Sequence, residues 1–235
     1  MTMNTDNLQN RLSAAAEEYG AKAFGTADLE LLLDKYPQAL EETGTGFTRA
    51  VVAGLRLQDS ALRTVYDKPT PLYFHNYRQT NYQLDRMAWC LADIIQDEGF
   101  SALAVPASQI IRRDPMRGHV SHKELGRLAG IGFIGRNNLL VHPVHGAQMR
   151  YVSVLTDAPL AAGSPLEGAG CGVCRACVEA CPAGAIGETF RDFDLEACYG
   201  KLNEFTRLRF IGQHVCGVCV KACGHRYNGR KDERV

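Results

Sequence analysis

The sequence lacks any apolar run approaching the roughly 18 residues of a membrane-spanning helix, so no segment is expected to cross a bilayer. Its first twenty residues, MTMNTDNLQNRLSAAAEEYG, hold neither a basic stretch ahead of an apolar core nor a twin arginine. No export signal is expected, and the chain reads as cytoplasmic. Neither sign of charge is in surplus: Lys plus Arg and Asp plus Glu both number 26, which removes the basic excess that argues for nucleic-acid binding. Cysteine is nearly missing from the first 170 residues, where Cys90 stands alone. In LDRMAWCLADII it occupies an apolar helical pattern and is expected to be a small buried hydrophobe. What is left is ordinary for a globular chain: 235 residues, 46% hydrophobic and 22% charged, enough for one large domain or two small ones.

The other eight of the nine cysteines all follow residue 170. A reducing cytosol disfavours structural disulfides, so clustered thiols there read as metal-binding or catalytic. In CGVCRACVEACP, Cys171, Cys174, Cys177 and Cys181 follow the spacing C-x2-C-x2-C-x3-C-P. Three thiolates so spaced can wrap one 4Fe-4S cubane in a tight loop, while the fourth is carried away by the next helical turn to ligate a second cluster. CGVCVKAC, from 216 to 223, repeats the C-x2-C-V-x-A-C pattern of 174 to 181 but lacks a counterpart of Cys171. Cys198, 18 positions before Cys216, is the cysteine left for that vacancy. The expected ligand sets are therefore crossed: Cys171, Cys174, Cys177 and Cys223 for one cluster, and Cys198, Cys216, Cys219 and Cys181 for the other. Two four-cysteine zinc sites would use the same number of thiolates, but zinc modules usually pair two C-x2-C knuckles instead. Eight bound thiolates and two oxidised cores bring the net charge to about −4.

A lone carrier of such clusters needs only a short chain, so the first 170 residues imply a second site. They read as a helix over 5–20, a short apolar segment AKAFGTA, a buried strand over 48–57, a long helix over 76–98 and a strand SALAVPA. Ser121 opens a further helix, with Glu124 completing a capping box. The strands NLLVHP and QMRYVSVLTD are expected to pair as a hairpin through VHGA. The expected class is α+β, an α/β sandwich over 1–165, followed by a ferredoxin-like double-cluster domain over 166–235. Gly130, Gly132 and Gly135 match G-x-G-x-x-G, but a helix precedes them and a strand follows, the reverse of a dinucleotide site. Those glycines are expected to permit a tight turn or the close approach of another large cofactor.

The stretch LAGIGFIGRNNLLVHPVHGAQMRYVSVLTDAPL, the later CGVCRACVEACP, YFHNY and the spaced Cys198 together resemble the epoxyqueuosine reductases, a family similar in turn to the reductive dehalogenases. The resemblance runs from about residue 5 to 225. It implies a cobalamin beside one of two 4Fe-4S clusters, with electrons passing through the clusters to cobalt. It also implies a proton donor upstream of the glycine-rich stretch, for which Asp114, His119 and His122 are the candidates. Gly130, Gly132, Gly135, Arg136 and Asn137 are the candidate cofactor-binding residues, the last two as donors to a phosphate or amide periphery. The family continues into a basic helical-repeat region and carries Cys-Pro-Trp-Asn where this chain reads CGHRYNG. With balanced charge, the expectation is that tRNA is not the main partner; the expected partners are an electron donor such as a ferredoxin or flavodoxin and a small-molecule or corrinoid substrate. Three functional classes stay open: a corrinoid-dependent iron–sulfur reductase, a corrinoid-free electron-transfer protein or reductive activator serving a partner, and a protein in which the clusters are structural or regulatory.

Overall fold

The computed structural model describes residues 5–40, 43, 46–113 and 116–224. In chain order the elements are α1 (Thr5–Glu18), β1 (Ala23–Asp28), α2 (Leu29–Lys35), β2 (Arg49–Arg56), α3 (Asp59–Arg63), α4 (Pro71–Asp97) and β3 (Ala102–Val105). There follow β4 (Arg112–Arg113), β5 (Met116–Arg117), α5 (His122–Leu128), β6 (Phe133–Ile134), β7 (Leu140–Val141) and β8 (Met149–Thr156). The cysteine-rich region adds α6 (Ala176–Ala180), a 3-10 turn (Phe190–Asp192), α7 (Leu195–Thr206) and α8 (Val218–Cys223). The class is mixed α/β. The chain folds into two interleaved compact units. One comprises residues 1–55, 80–131 and 150–167; the other comprises 56–79, 132–149 and 168–235, so the cysteine-bearing unit takes in two segments upstream of residue 166.

The first unit is organised by a four-stranded sheet in the order β1-β2-β8-β3. β1 runs antiparallel to β2, from Ala23 opposite Gly54 to Asp28 opposite Arg49. β3 runs antiparallel to β8, from Ala102 opposite Thr156 to Val105 opposite Ser153. The interior strands are near-continuous apolar runs because both faces are covered: Ala50, Val51, Val52 and Ala53 are all fully buried. One face carries α1 through Leu8, Leu12 and Ala16, and α4 through Leu84, Met87, Leu91 and Ile95, packed on Val51, Ala53, Val152 and Val154. Each of these large side chains contributes about 1.5–3 kcal/mol by leaving water. α5 lies against β1, where Gly25 has no room for a side chain because a Cβ would sit 2.9 Å from the Ala129 carbonyl oxygen.

Four expectations are corrected. The long helix starts at Pro71 rather than near 76, since proline suits a first helical position where its missing N–H costs nothing. NLLVHP and QMRYVSVLTD do not pair: β7 pairs with β6, Phe133 opposite Val141, while β8 is interior to the sheet with β2 and β3 beside it. An eight-residue strand that is buried on both faces gains more from an interior position than from a two-residue partner. Ser121 does cap α5, its hydroxyl accepting from the Glu124 N–H at 3.3 Å. The Glu124 carboxylate, however, is engaged by Lys35 at 3.1 Å and Arg127 at 2.8 Å; the reciprocal capping box is at Thr189 and Asp192. Cys90 is half-buried on α4 rather than enclosed. No helix among the described residues is long and apolar enough to cross a membrane.

Candidate metal centre

Local sequence sets each cysteine in its place. Gly172 takes a positive φ of 52°, and the Cys174 N–H bonds back to the Cys171 carbonyl at 3.0 Å, so the first loop curls on itself. α6 then begins, carrying the buried Cys177, and ends on Cys181 in an extended conformation just before Pro182. Gly217, at φ 87°, turns the chain into α8 between Cys216 and Cys219, and Cys223 closes that helix. A side chain on Gly217 would run into the ring of Tyr73, one of the residues of an apolar cluster with Leu57, Leu62, Val65, Phe74, Ile211, Val215 and Val218. Cys198 rides on α7, which Asp194 caps by accepting from the Ala197 N–H at 2.8 Å. α6 and α8 pack together, which brings the two halves of the repeat side by side.

All eight thiols are free, and their mutual influence divides them into two neighbourhoods. Burial pushes the Cys223 thiol up to about 12, and Cys177, Cys171 and Cys174 add to the shift. Cys177 is raised by burial and then by Cys171 and Cys174. Burial pushes Cys216 up to about 11, with Cys198 and Cys181 contributing. Cys219 is raised well above an ordinary thiol by burial, then by Cys216, Cys181 and Cys198, and last by Cys177. Cys198 is raised by burial and by Cys181 and Asp194. Cys223 thus sits with the first three cysteines of the other repeat, and Cys181 sits with Cys198, Cys216 and Cys219. Left alone, such thiols stay protonated and inert; a cationic core replacing their protons is what makes them thiolates. His214, ahead of Cys216, stacks on Tyr199 beside Cys198 with ring centroids 4.8 Å apart.

The segment from Gly132 to Gln148 closes around the first neighbourhood. Phe133, Val141 and Ala147 form a small core against which Cys171 and Cys223 are packed. The Ala147 N–H donates to the Cys223 sulfur, Gly146 at φ 59° leaves room for the Cys223 carbonyl, and Gln148 Nε2 donates to the Lys221 carbonyl at 3.1 Å. Sequence reading missed these contacts, although the glycine in VHGA was a cue. Arg136 spends its terminal nitrogens on the carbonyls of Cys174 (2.9 Å) and Gly172 (3.0 Å). Its Nε and the Asn137 Nδ2 are buried with no hydrogen-bond partner. Four thiols with two unsatisfied N–H donors in the adjoining turn fit an anionic iron–sulfur group. Among the described residues, no three His, Cys, Asp or Glu side chains close on a point that would hold one metal ion.

At the three glycines the chain's own packing excludes a side chain. A Cβ on Gly130 would lie 2.6 Å from the Ser164 carbonyl oxygen, one on Gly132 would overlap the Val141 carbonyl, and one on Gly135 would lie 2.6 Å from Val141 Cγ2. The chain's own atoms account for all three.

Of the proton-donor candidates, Asp114 lies outside the described residues. His119 lies half-buried in the loop before α5. His122 has both ring nitrogens engaged. Pro106 O can only accept, at 2.9 Å, so Nε2 carries the proton and Nδ1 accepts from the Ser153 hydroxyl at 2.9 Å. Burial, together with the Arg150 charge, pushes its pKa down to about 4, against the opposing Pro106 bond. The unfolded chain therefore takes up this proton first as pH falls below about 6.5, and the associated stability is complete above that pH and gone below about 4. Between pH 7 and pH 5, His122 should account for about 2 kcal/mol of lost stability. Urea midpoints at the two pH values for the native chain and His122→Gln check this: the variant should show a shallower fall, and an unchanged fall would show that His122 is not the group responsible.

No family model matches the chain. Among curated proteins, it is similar to the epoxyqueuosine reductase of Synechococcus sp., 45% identical over 62 residues, covering 26% of this chain and 19% of that one. It is also similar to that of Leadbetterella byssophila, 36% identical over 113 residues (44% and 36%), and that of Salmonella typhimurium, 35% identical over 125 residues (48% and 32%). The matches thus span no more than about a third of these relatives' length. Among solved structures, a catabolic reductive dehalogenase in complex with 3-bromo-4-hydroxybenzoic acid matches 90% of this chain and 31% of its own at a TM-score of 0.70 and 19% identity. An epoxyqueuosine reductase solved with an epoxyqueuosine-modified tRNA-Tyr stem loop matches 98% of this chain and 68% of its own at a TM-score of 0.58 and 18% identity. The chain is epoxyqueuosine reductase-like, and its fold is shared with both groups. The expectation that tRNA is an improbable partner is corrected by that stem-loop complex. Phosphates are read by local arrays of donors, so balanced net charge does not decide the matter.

Proposed function

We propose that this chain is an iron–sulfur reductase of the epoxyqueuosine reductase type, holding two 4Fe-4S clusters in a ferredoxin-like region over 166–235. What supports this reading is the grouping of the thiols: Cys223 is influenced by Cys177, Cys171 and Cys174, and Cys216 and Cys219 by Cys181 and Cys198, while Cys171 and Cys223 pack on one apolar core. Bound clusters supply one-electron transfer. The chain's part is to hold eight thiolates, to exclude water by burying Cys177 and half-burying Cys219 and Cys223, and to place N–H donors at the sulfurs. An electron donor such as a ferredoxin or flavodoxin belongs to the reading, as does a corrinoid acceptor. The corrinoid rests on likeness, including that to a solved reductive dehalogenase described as B12-dependent (TM-score 0.68, 19% identity). A modified nucleoside in a tRNA stem loop is the first substrate to test.

Anaerobically prepared protein should carry about eight irons per chain. About two zinc ions and no iron would overturn the cluster assignment. Titration of the cluster-loaded protein with cobalamin then separates two readings. Binding below tens of micromolar (a threshold of roughly 6 kcal/mol) supports the corrinoid reductase. Its absence favours the second, a corrinoid-free electron-transfer protein.

A further inference from the structure

Asn137 is 3% exposed, yet half of its amide is unaccounted for. Its Oδ1 accepts from the Leu139 N–H at 3.4 Å, which fixes the orientation of the amide, since that N–H can only donate. The Nδ2 group is left buried without any acceptor. An orphaned donor of this kind is destabilising, and few are kept without a use. Nearby geometry identifies the direction of that use. A Cβ built on Gly135 would lie 3.1 Å from Asn137 Oδ1 and 3.4 Å from Cys171 Sγ, so the amide and the first cysteine of the cluster loop flank the same glycine. Arg136, between them, holds that loop by the carbonyls of Cys174 and Gly172.

We infer that Asn137 is a positioning and tuning residue of the first cluster: its Nδ2–H donates to a sulfur of the group bound by Cys171, Cys174, Cys177 and Cys223. This rests on the cluster reading above. Adding an electron raises the negative charge on the sulfurs, so a donor to sulfur stabilises the reduced form more than the oxidised one and raises the reduction potential. A Cβ on Gly135 would crowd both the Asn137 amide oxygen and the Cys171 sulfur.

The test is a redox titration, followed by electron paramagnetic resonance, of cobalamin-free, iron-loaded protein. Asn137→Leu keeps the volume and removes the donor. Asn137→Asp keeps the shape, removes the donor and adds an acceptor. In both variants the first cluster should become harder to reduce, by about tenfold in its reduction equilibrium or about 59 mV for one electron, with Asp the larger, while the second cluster keeps its potential. A purely structural role would lower iron content without moving the potential of the clusters that remain. Protein labelled with ¹⁵N in the asparagine side-chain amide gives a readout that needs no variant: hyperfine coupling to the reduced first cluster is expected, and its absence overturns the inference. Iron content separates the failures. Eight irons with unmoved potentials defeat the role of Asn137 alone, whereas a native protein without iron defeats the cluster reading beneath it.

Discussion

Replacing Cys223 with alanine should remove the cluster held by Cys171, Cys174 and Cys177, and leave the cluster of its own repeat intact. About four of about eight irons should be lost. In sequence Cys223 follows Cys216 and Cys219 in the same short motif, so proximity along the chain gives the opposite outcome. The structure puts its sulfur under the influence of Cys177, Cys171 and Cys174, with the Ala147 N–H aimed at it and the Phe133, Val141 and Ala147 core behind it. Cys181→Ala should do the converse, costing the second cluster although it belongs to the first run, because its neighbours are Cys198, Cys216 and Cys219. Cluster-resolved resonance spectra with iron analysis decide between these outcomes. If Cys223→Ala retains the first cluster and loses the second, the crossed ligation is wrong. Each variant should also unfold at lower denaturant than the native protein, since metal binding is part of the folding free energy of so loop-rich a unit.

Gly132→Ala should be among the most damaging substitutions outside the cysteines. Its Cβ would overlap the Val141 carbonyl oxygen and approach the carbonyl carbon to 2.9 Å. Those are backbone atoms of β7, paired to the next residue, Phe133, across the short sheet, and they cannot yield without opening it. The pairing carries the apolar wall behind Cys171 and Cys223, so iron retention should fall with stability. A loss of about 3 kcal/mol or more is expected, as for other overpacked interior sites. Gly200 supplies the contrast: it lies in α7 with nothing within 4 Å of an added Cβ. Gly200→Ala should stabilise by about 0.5–1 kcal/mol, since alanine is the better helix former. Urea melts of the two variants check both signs; equal midpoints would show that the close approach at Gly132 is not real.

The chain itself determined the spacing of the thiols. Cysteine spacing is a covalent property, and C-x2-C-x2-C-x3-C-P with an incomplete second copy carries the expectation of two clusters with exchanged fourth ligands. Periodicity likewise marked α1, the interior strand β2 and most of α4, because a 3.6-residue apolar repeat and a continuous apolar run each impose one local conformation. What the sequence left undecided were quantities set by distant partners. Where QMRYVSVLTD pairs depended on which strands had open edges, so β8 went between β2 and β3 while NLLV paired with Phe133 and Ile134. The three glycines read as a tight turn or the close approach of a cofactor, and only the folded backbone showed Ser164 and Val141 where their side chains would stand. Glu124 was legible as a cap partner, and tertiary structure gave its carboxylate to Lys35 and Arg127 instead. Asn137 was legible as a donor beside the glycines but not as an orphan, because a donor becomes one only when packing removes water from it and supplies no acceptor in return.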